Sequence, residues 1–393
     1  MRITKITAYV IKSSAFYDMG GASKAGETLP GSEYFRFNAY PQLYSRRSEA
    51  LIVKVDTSEG ISGWGETQAP IGPEVAQSVV QHVVGPAILG RSPLDTNLRF
   101  TEMFETLRVR GQVTGFQLDA IAGIDTALWD IRGKAANTSI SRLLGGRYRD
   151  TLPCYASGLR RKTLGERAEE AQEFVRRGIS GVKPFMGYGV KADTIEIEAV
   201  RKAVGPDTRI LVDGVWRYDF PEAVKLGRVL ERNDADFFEA PMAPEDIEGH
   251  ARLARELDIA IAIGEPLRTR FQFTQWFLRD ALDICQPDVM RNGISETFKI
   301  ATMAEALNKP VALHTGTVTV VGMAATYQVA AAIPNFYIQE FQPVMFDSFN
   351  PWLKEPLALN GDQLVVPDGP GLGIEIDEAR FLADVTGKIE IAL

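Results

Sequence analysis

"RILVDGVWRYDFPEAVKLGRVLERNDADFFEAP", residues 209–241, sets two short apolar runs on either side of an amphipathic helical stretch. Within each run the apolar residues are consecutive, which marks a strand buried on both faces, as in a parallel sheet. Each run also ends on a carboxylate, Asp213 and then Glu239. The unit recurs along the chain as "TLPCYAS" (151–157), "GVKPF" (181–185), "IAIGE" (261–265), "DICQPD" (283–288), "PVALH" (310–314) and "FYIQE" (336–340). Helical stretches such as "ERAEEAQEFVRR" (166–177) lie between them. Eight such strands, with a helix after nearly every one, predict a closed α/β barrel. Only the last run leads into Pro and Asn instead of a helix.

Upstream, residues 1–11 alternate as a strand, and "ALIVKVDTSEGISGWGE" (50–66) reads as a hairpin with a Gly-containing turn. Between them, residues 12–47 are rich in Gly, Ser and aromatics without a period, a length of irregular chain that usually serves as a lid. Helical periodicity covers about 72–90, 95–108 and 115–136. Near the C-terminus "LNGDQLVV" (359–366) predicts a hairpin that rejoins the N-terminal layer.

The bulk numbers set outer bounds. With 393 residues the chain is large for one small domain. At 45% hydrophobic and 24% charged it reads as globular. A net charge of −8 argues against sequence-independent nucleic-acid binding, which needs a basic face. Cys154 and Cys285 are the only cysteines, so no disulfide framework or thiolate zinc cluster is available. The start "MRITKITAYVI" is too short and polar for a signal segment, and no apolar run reaches membrane-spanning length. A cytoplasmic location is expected.

Reading the end of each barrel run gives Lys183, Asp213, Glu239, Glu265, Asp288, His314 and Glu340, spaced by 23 to 30 residues. One βα unit separates each pair, so all seven side chains fall on the C-terminal rim, where barrels of this kind carry their active sites. Single acidic residues at strand ends commonly cap the next helix. Three consecutive carboxylates repel one another and call for a cation. Asp213, Glu239 and Glu265 therefore form a candidate metal site, and an all-oxygen set selects a hard ion such as Mg²⁺. Asp288, one strand before His314, would fix the imidazole tautomer and raise its basicity, as a general base requires. A purely structural His–Asp hydrogen bond is the alternative. Glu340 could donate a hydrogen bond if protonated, or pair with a cation. Lys183 could be a strand-end charge paired with Asp213, a Schiff-base amine, or half of a proton-transfer pair.

These residues carry a resemblance to the mandelate racemase / muconate lactonizing enzyme group of the enolase superfamily, over essentially the full length. It rests on the carboxylate triad, "QPDVMRNG" (286–293), "ALHTG" (312–316), Glu340, "ALWDIRGKAANTSISRLLGG" (127–146) and "PDGPGLGIEI" (367–376). The resemblance implies a modified TIM barrel, (β/α)₇β, with an α+β capping domain. The cap would span 1–135 with mobile lid loops at 12–47 and 63–70, the barrel 136–350, and residues 351–393 would return to the cap. One essential Mg²⁺ per subunit and a dimer or octamer are also implied.

Three departures from the family pattern stand out. Val215 replaces the usual Asn of Asp-x-Asn, and "AP" follows Glu239 where a polar residue is more usual. Many relatives carry Lys-x-Lys on the second strand, but here the pattern is Lys183-Pro184-Phe185. By resemblance Lys183 lies near the metal-bound carboxylate and screens it, and the opposing base is missing. Racemisation needs an acid on the opposite face, whereas His314 alone can take an α-proton and return a proton to a departing hydroxide. The expected reaction is thus syn-dehydration of a sugar acid to a 2-keto-3-deoxy acid, with racemase, epimerase or aldarolactone cycloisomerase as alternatives. A Schiff-base aldolase and a metal-dependent binder without turnover are the rivals outside that chemistry. Arg46 or Arg47 could bind a distal carboxylate or stay solvated, and Tyr155 could hydrogen-bond substrate or pack. Arg291 reads as a partner for Asp288.

Overall fold

In the computed structural model, described over residues 1–14, 26–37 and 40–393, a four-stranded antiparallel sheet opens the molecule. Its order is Val385–Ala392, Ile3–Ser13, Ser48–Thr57, Ser62–Thr67. Ile6, Ala8, Val10, Leu51, Val53 and Val55 face a layer of helices, packing on Val80, Phe100, Ile121 and Leu128. Tyr9, Ile11, Ile52 and Trp64 point the other way and join the core that runs into the barrel. Ser48–Thr57 in the middle is thus buried on both faces, whereas the edge strand Val385–Ala392 alternates between half-buried and exposed residues.

Helix Phe116–Ala135 fixes this layer to the rest. It lies so close to strand Ser62–Thr67 that a Cβ on Gly63 would meet Ala127 O at 2.1 Å, and one on Gly65 would meet Gly123 O at 2.0 Å. The two glycines of "GWG" therefore serve close packing of backbone on backbone. The expected cap loop at 63–70 thus begins as strand, up to Thr67, and only then leaves it. Most of that stretch is strand, and Gln68 N donates to Met290 O at 3.1 Å, which anchors its end to the barrel. Asp119 pairs with Arg268 Nε at 2.8 Å, and Asp125 accepts from Ser295 N and Oγ at 2.8 and 2.7 Å. Glu66 accepts from Thr319 N and Gly322 N at 2.8 and 2.7 Å, capping helix Val320–Ala332. The seam between cap and barrel is thus stitched by buried carboxylates.

The barrel strands are Thr151–Ser157, Gly181–Lys183, Arg209–Asp213, Phe237–Glu239, Ala260–Ile263, Ile284–Cys285, a bridged stretch at 311–314, and Gln339–Phe341. All pair in parallel, and Gln339–Phe341 closes the ring on Thr151–Ser157 with Glu340 opposite Tyr155. Helices follow the first seven, from Leu164–Arg176 to Val320–Ala332, which gives the expected (β/α)₇β order. Two details differ from expectation. A short helix, Pro343–Phe349, follows the last strand, with proline at its first position where no N–H is needed. Through Gln363–Val365 the hairpin with Leu359–Asn360 pairs antiparallel with barrel strand Thr151–Ser157, while Val385–Ala392 supplies the strand that joins the cap sheet and Phe381 packs on Tyr9 and Trp64.

The aperiodic segment 12–47 also holds structure. Glu27–Thr28, Phe35–Phe37 and Tyr40–Tyr44 form a three-stranded antiparallel sheet, and the parts of the expected lid at 15–25 and 38–39 lie outside the described residues. Among the described residues no helix is long and apolar enough to cross a membrane.

Candidate active site

Strand register does the first part of the work. Asp213 and Glu239 end adjacent strands directly opposite each other, Lys183 ends the strand before them, and Asp288 bridges to His314. Glu265 follows Ile263 by two residues, beyond its strand. A cavity of about 410 Å³ opens over this rim, lined also by Tyr44 at the end of the three-stranded sheet, by Arg47 just beyond it and by Gln68 from the cap. Lys183, Asp213, Glu265, His314 and Glu340 reach it directly.

Lys183 is 1% exposed, and its Nζ lies 2.8 Å from Glu340, 3.0 Å from Glu239 and 3.7 Å from Asp213. Burial alone would lower its pKa, but Glu239 and Glu340 outweigh that and hold it well above the ordinary lysine range. A permanently charged ammonium is a poor Schiff-base nucleophile, which counts against the aldolase reading. Glu340 accepts from Ser157 Oγ at 2.6 Å and Thr315 N at 2.8 Å as well as from Lys183. Burial pushes its carboxyl up, yet Lys183 and His314 bring it down to about 2. Of its two readings, the paired anion is the one the geometry carries.

His314 Nδ1 stands 2.7 Å from Asp288 Oδ2, and Asp288 Oδ1 accepts from Met290 N at 2.8 Å. The carboxylate is thereby aimed at the ring, and Nε2 is left toward the cavity. Burial lowers the imidazole pKa, but Glu265, Glu340 and Asp288 together raise it to about 9.

Among the described residues no three His, Cys, Asp or Glu side chains are drawn together tightly enough to cage a metal ion as they stand. Glu265 leans toward Arg291 at 3.7 Å and His314 at 3.9 Å, while Lys183 occupies the space beside Asp213 and Glu239. The chemistry of the donor set nevertheless fits a hard cation. Glu239 Oε1 is buried with no hydrogen-bond partner. Burial and the neighbouring Glu239 push the Asp213 carboxyl up to about 8, and burial raises Glu239 as well. Such crowded anions gain from a divalent ion.

The remaining expected residues divide. Arg47 lines the cavity, whereas Arg46 stacks on Phe35, its guanidinium 4.5 Å from the ring centre. Tyr155 does not reach the cavity but packs inside the barrel with Leu211 and Phe237. Phe185 and Val215 both line the site, so the two departures place apolar groups there. Val215 also takes a left-handed backbone, φ 50°, rare for a β-branched residue. Its N–H donates to Asp213 Oδ1 at 2.8 Å, so the turn orients that carboxylate. Sequence reasoning missed Gln68, Tyr44 and Ser157, and gave Arg291 no place at the cavity it lines. Nothing local distinguishes these four, because tertiary packing brings them to the rim.

A family model described as Enolase C-terminal domain-like matches residues 166–380, and one described as Mandelate racemase / muconate lactonizing enzyme, N-terminal domain matches residues 44–145. A D-galactarolactone cycloisomerase from Agrobacterium fabrum is 36% identical over 353 residues, 87% of this chain and 92% of that protein. An arabinonate dehydratase from Saccharolobus solfataricus is 34% identical over 340 residues, 85% of this chain and 90% of that one. The crystal structure of a member of the enolase superfamily from Agrobacterium tumefaciens superposes with a TM-score of 0.93 at 28% identity, covering 99% of this chain and 100% of that chain. Coverage on this scale takes in cap and barrel together.

Proposed function

This chain belongs to the mandelate racemase / muconate lactonizing enzyme family and is an enzyme of the enolase superfamily, and from that premise we propose that it dehydrates a sugar acid to a 2-keto-3-deoxy acid. The observation that carries the reading is a single Asp-held imidazole at the cavity, with the ring of Phe185 where relatives place a second lysine. Asp213, Glu239 and Glu265 would hold Mg²⁺, which when bound supplies neutralisation of the charge that builds on the substrate carboxylate.

Neutral His314 takes the α-proton at Nε2, while its Nδ1–H stays on the ring and donates to Asp288, which stabilises the imidazolium. The same Nε2 proton then passes to the hydroxide leaving the β-carbon on that face. Lys183, locked by Glu340 and Glu239, contributes a fixed positive charge beside the reacting carboxylate. A racemase would need a competent acid on the opposite face, and Phe185 cannot supply one. Cycloisomerisation of a lactone is the second reading, favoured by the 36% identical relative, since expelling a ring oxygen uses the same base.

The test is a panel of D-galactonate, D-gluconate, D-xylonate, arabinonate, galactarate and D-galactarolactone, incubated with Mg²⁺ and followed for keto-acid release. Keto acid from an open-chain member supports dehydration. Consumption of only the lactone would replace it by cycloisomerisation, and epimer without keto acid would overturn elimination altogether.

A further inference from the structure

Two polar groups at the cavity are not used by the chemistry above. Gln68 is 5% exposed and lines the cavity, and its Oε1 has no hydrogen-bond partner among the described residues. Arg291 lines the same cavity, and its Nε is likewise buried without a hydrogen-bond partner. Its carboxylate neighbours, Glu265 at 3.7 Å and Asp288 at 3.9 Å, are beyond hydrogen-bond length. A buried acceptor and a buried donor left without partners beside one cavity are costly unless something else satisfies them.

Both stand beside the base. Gln68 N donates to Met290 O, so the cap residue is pinned to the turn that carries Arg291. The two carboxylates near Arg291 are those that flank His314, Asp288 at Nδ1 and Glu265 at Nε2, 2.7 and 3.9 Å away. A Cβ at Gly316 would lie 2.7 Å from Gln68 Nε2 and 3.1 Å from His314 Cε1, so the carboxamide and the imidazole border the same small space, which glycine leaves free. The amide nitrogen faces that glycine and the oxygen remains for a donor.

We infer that Gln68 and Arg291 together bind the hydroxyl that leaves the β-carbon, next to the imidazole that protonates it; this rests on the elimination reading above. A hydroxyl satisfies both groups at once, giving its proton to Gln68 Oε1 and accepting from an Arg291 N–H. A carboxylate would set an acceptor against the Gln68 oxygen, and a ring ether oxygen has no proton to give it. The pair therefore selects a free hydroxyl as leaving group. In the step, the α-proton moves to His314 Nε2 and its bonding electrons enter the enediolate. The Cβ–O bond then breaks with its pair on oxygen, Arg291 offsets that charge, and the Nε2 proton completes water. His314 ends neutral, as it began.

The test measures two rates in one D₂O reaction with the panel member that the wild type turns over: deuterium at the α-carbon of recovered substrate, and keto acid formed. Removal of the leaving-group contacts slows expulsion more than proton abstraction, so in Gln68→Leu the ratio of exchange to elimination rises by about tenfold or more. Arg291→Gln moves the ratio the same way. Because both rates come from the same active molecules, the ratio does not depend on the fraction folded. An unchanged ratio in both variants, with the two rates falling in step, overturns this inference alone. A wild type that neither exchanges nor eliminates with any panel member overturns the elimination reading, and this inference with it.

Discussion

Adding Mg²⁺ should move the titration of His314 downward by a readable amount. Without the ion, burial is outweighed by Glu265, Glu340 and Asp288, and the imidazole titrates at about 9. Glu265 Oε1 lies 3.9 Å from Nε2. Two unit charges about 4 Å apart at an effective dielectric of about 20 interact by about 4 kcal/mol. At 1.36 kcal/mol per pKa unit, that single neighbour accounts for roughly 3 units. A divalent ion held by Asp213, Glu239 and Glu265 cancels it, so the expected value with saturating Mg²⁺ is about 6 to 7. That range suits a base that must be neutral near pH 7. The chain has only 3 histidines, so ¹⁵N-histidine labelling gives three imidazole signals to follow with pH. His314→Asn identifies the relevant one. A titration that stays near 9 with the ion bound would refute both the placement of the cation beside Glu265 and the electrostatic account of the base.

Other consequences can be measured separately. The folded pKa of His314 is raised, so its stabilisation is complete below about 6.5 and is lost as pH climbs through about 9. Asp213, raised to about 8, is protonated in the fold where the free chain is not, so it too costs stability as pH rises from about 4 through about 8. Urea denaturation in EDTA should therefore show stability falling between pH 7 and 9, and Mg²⁺ should flatten that fall. Asp288→Asn leaves an amide that cannot accept from both Met290 N–H and His314 Nδ1–H. Trapping the wrong tautomer should lower kcat for keto-acid formation by about 10³–10⁴-fold with little change in KM. Asp119→Ala strands the buried Arg268 guanidinium and should cost about 3–5 kcal/mol in urea denaturation, with Arg268→Met added to it restoring much of the loss. Phe185→Lys sets an amine near Arg160 and Lys183 and should bring epimer into the recovered substrate, read by chiral chromatography.

The strand-end series shows how far the amino-acid sequence reaches by itself. Consecutive apolar residues at 210–212, 237–238 and 261–263 call for burial on both faces, and that already points to parallel strands with helices between them. Once the strands close, the spacing of Lys183, Asp213, Glu239, His314 and Glu340 puts all five on one rim, because each βα unit returns the chain to the same end. Chain-local patterns carry no such information about Gln68, Arg291 or Tyr155. Gln68 reaches the cavity because two glycines let a helix lie against its strand and a backbone bond ties it to Met290. Tyr155 packs within the barrel because its strand runs on to Ser157, which faces the same side nearer the rim and meets Glu340. The lid sheet within 12–47 was equally illegible, since its strands are short and held by pairing with one another rather than by an apolar period. Whether the carboxylates meet a cation or a lysine is likewise a matter of side-chain placement. Periodicity records which side of an element is buried, whereas the contacts that fill a site depend on distances between elements remote in the chain.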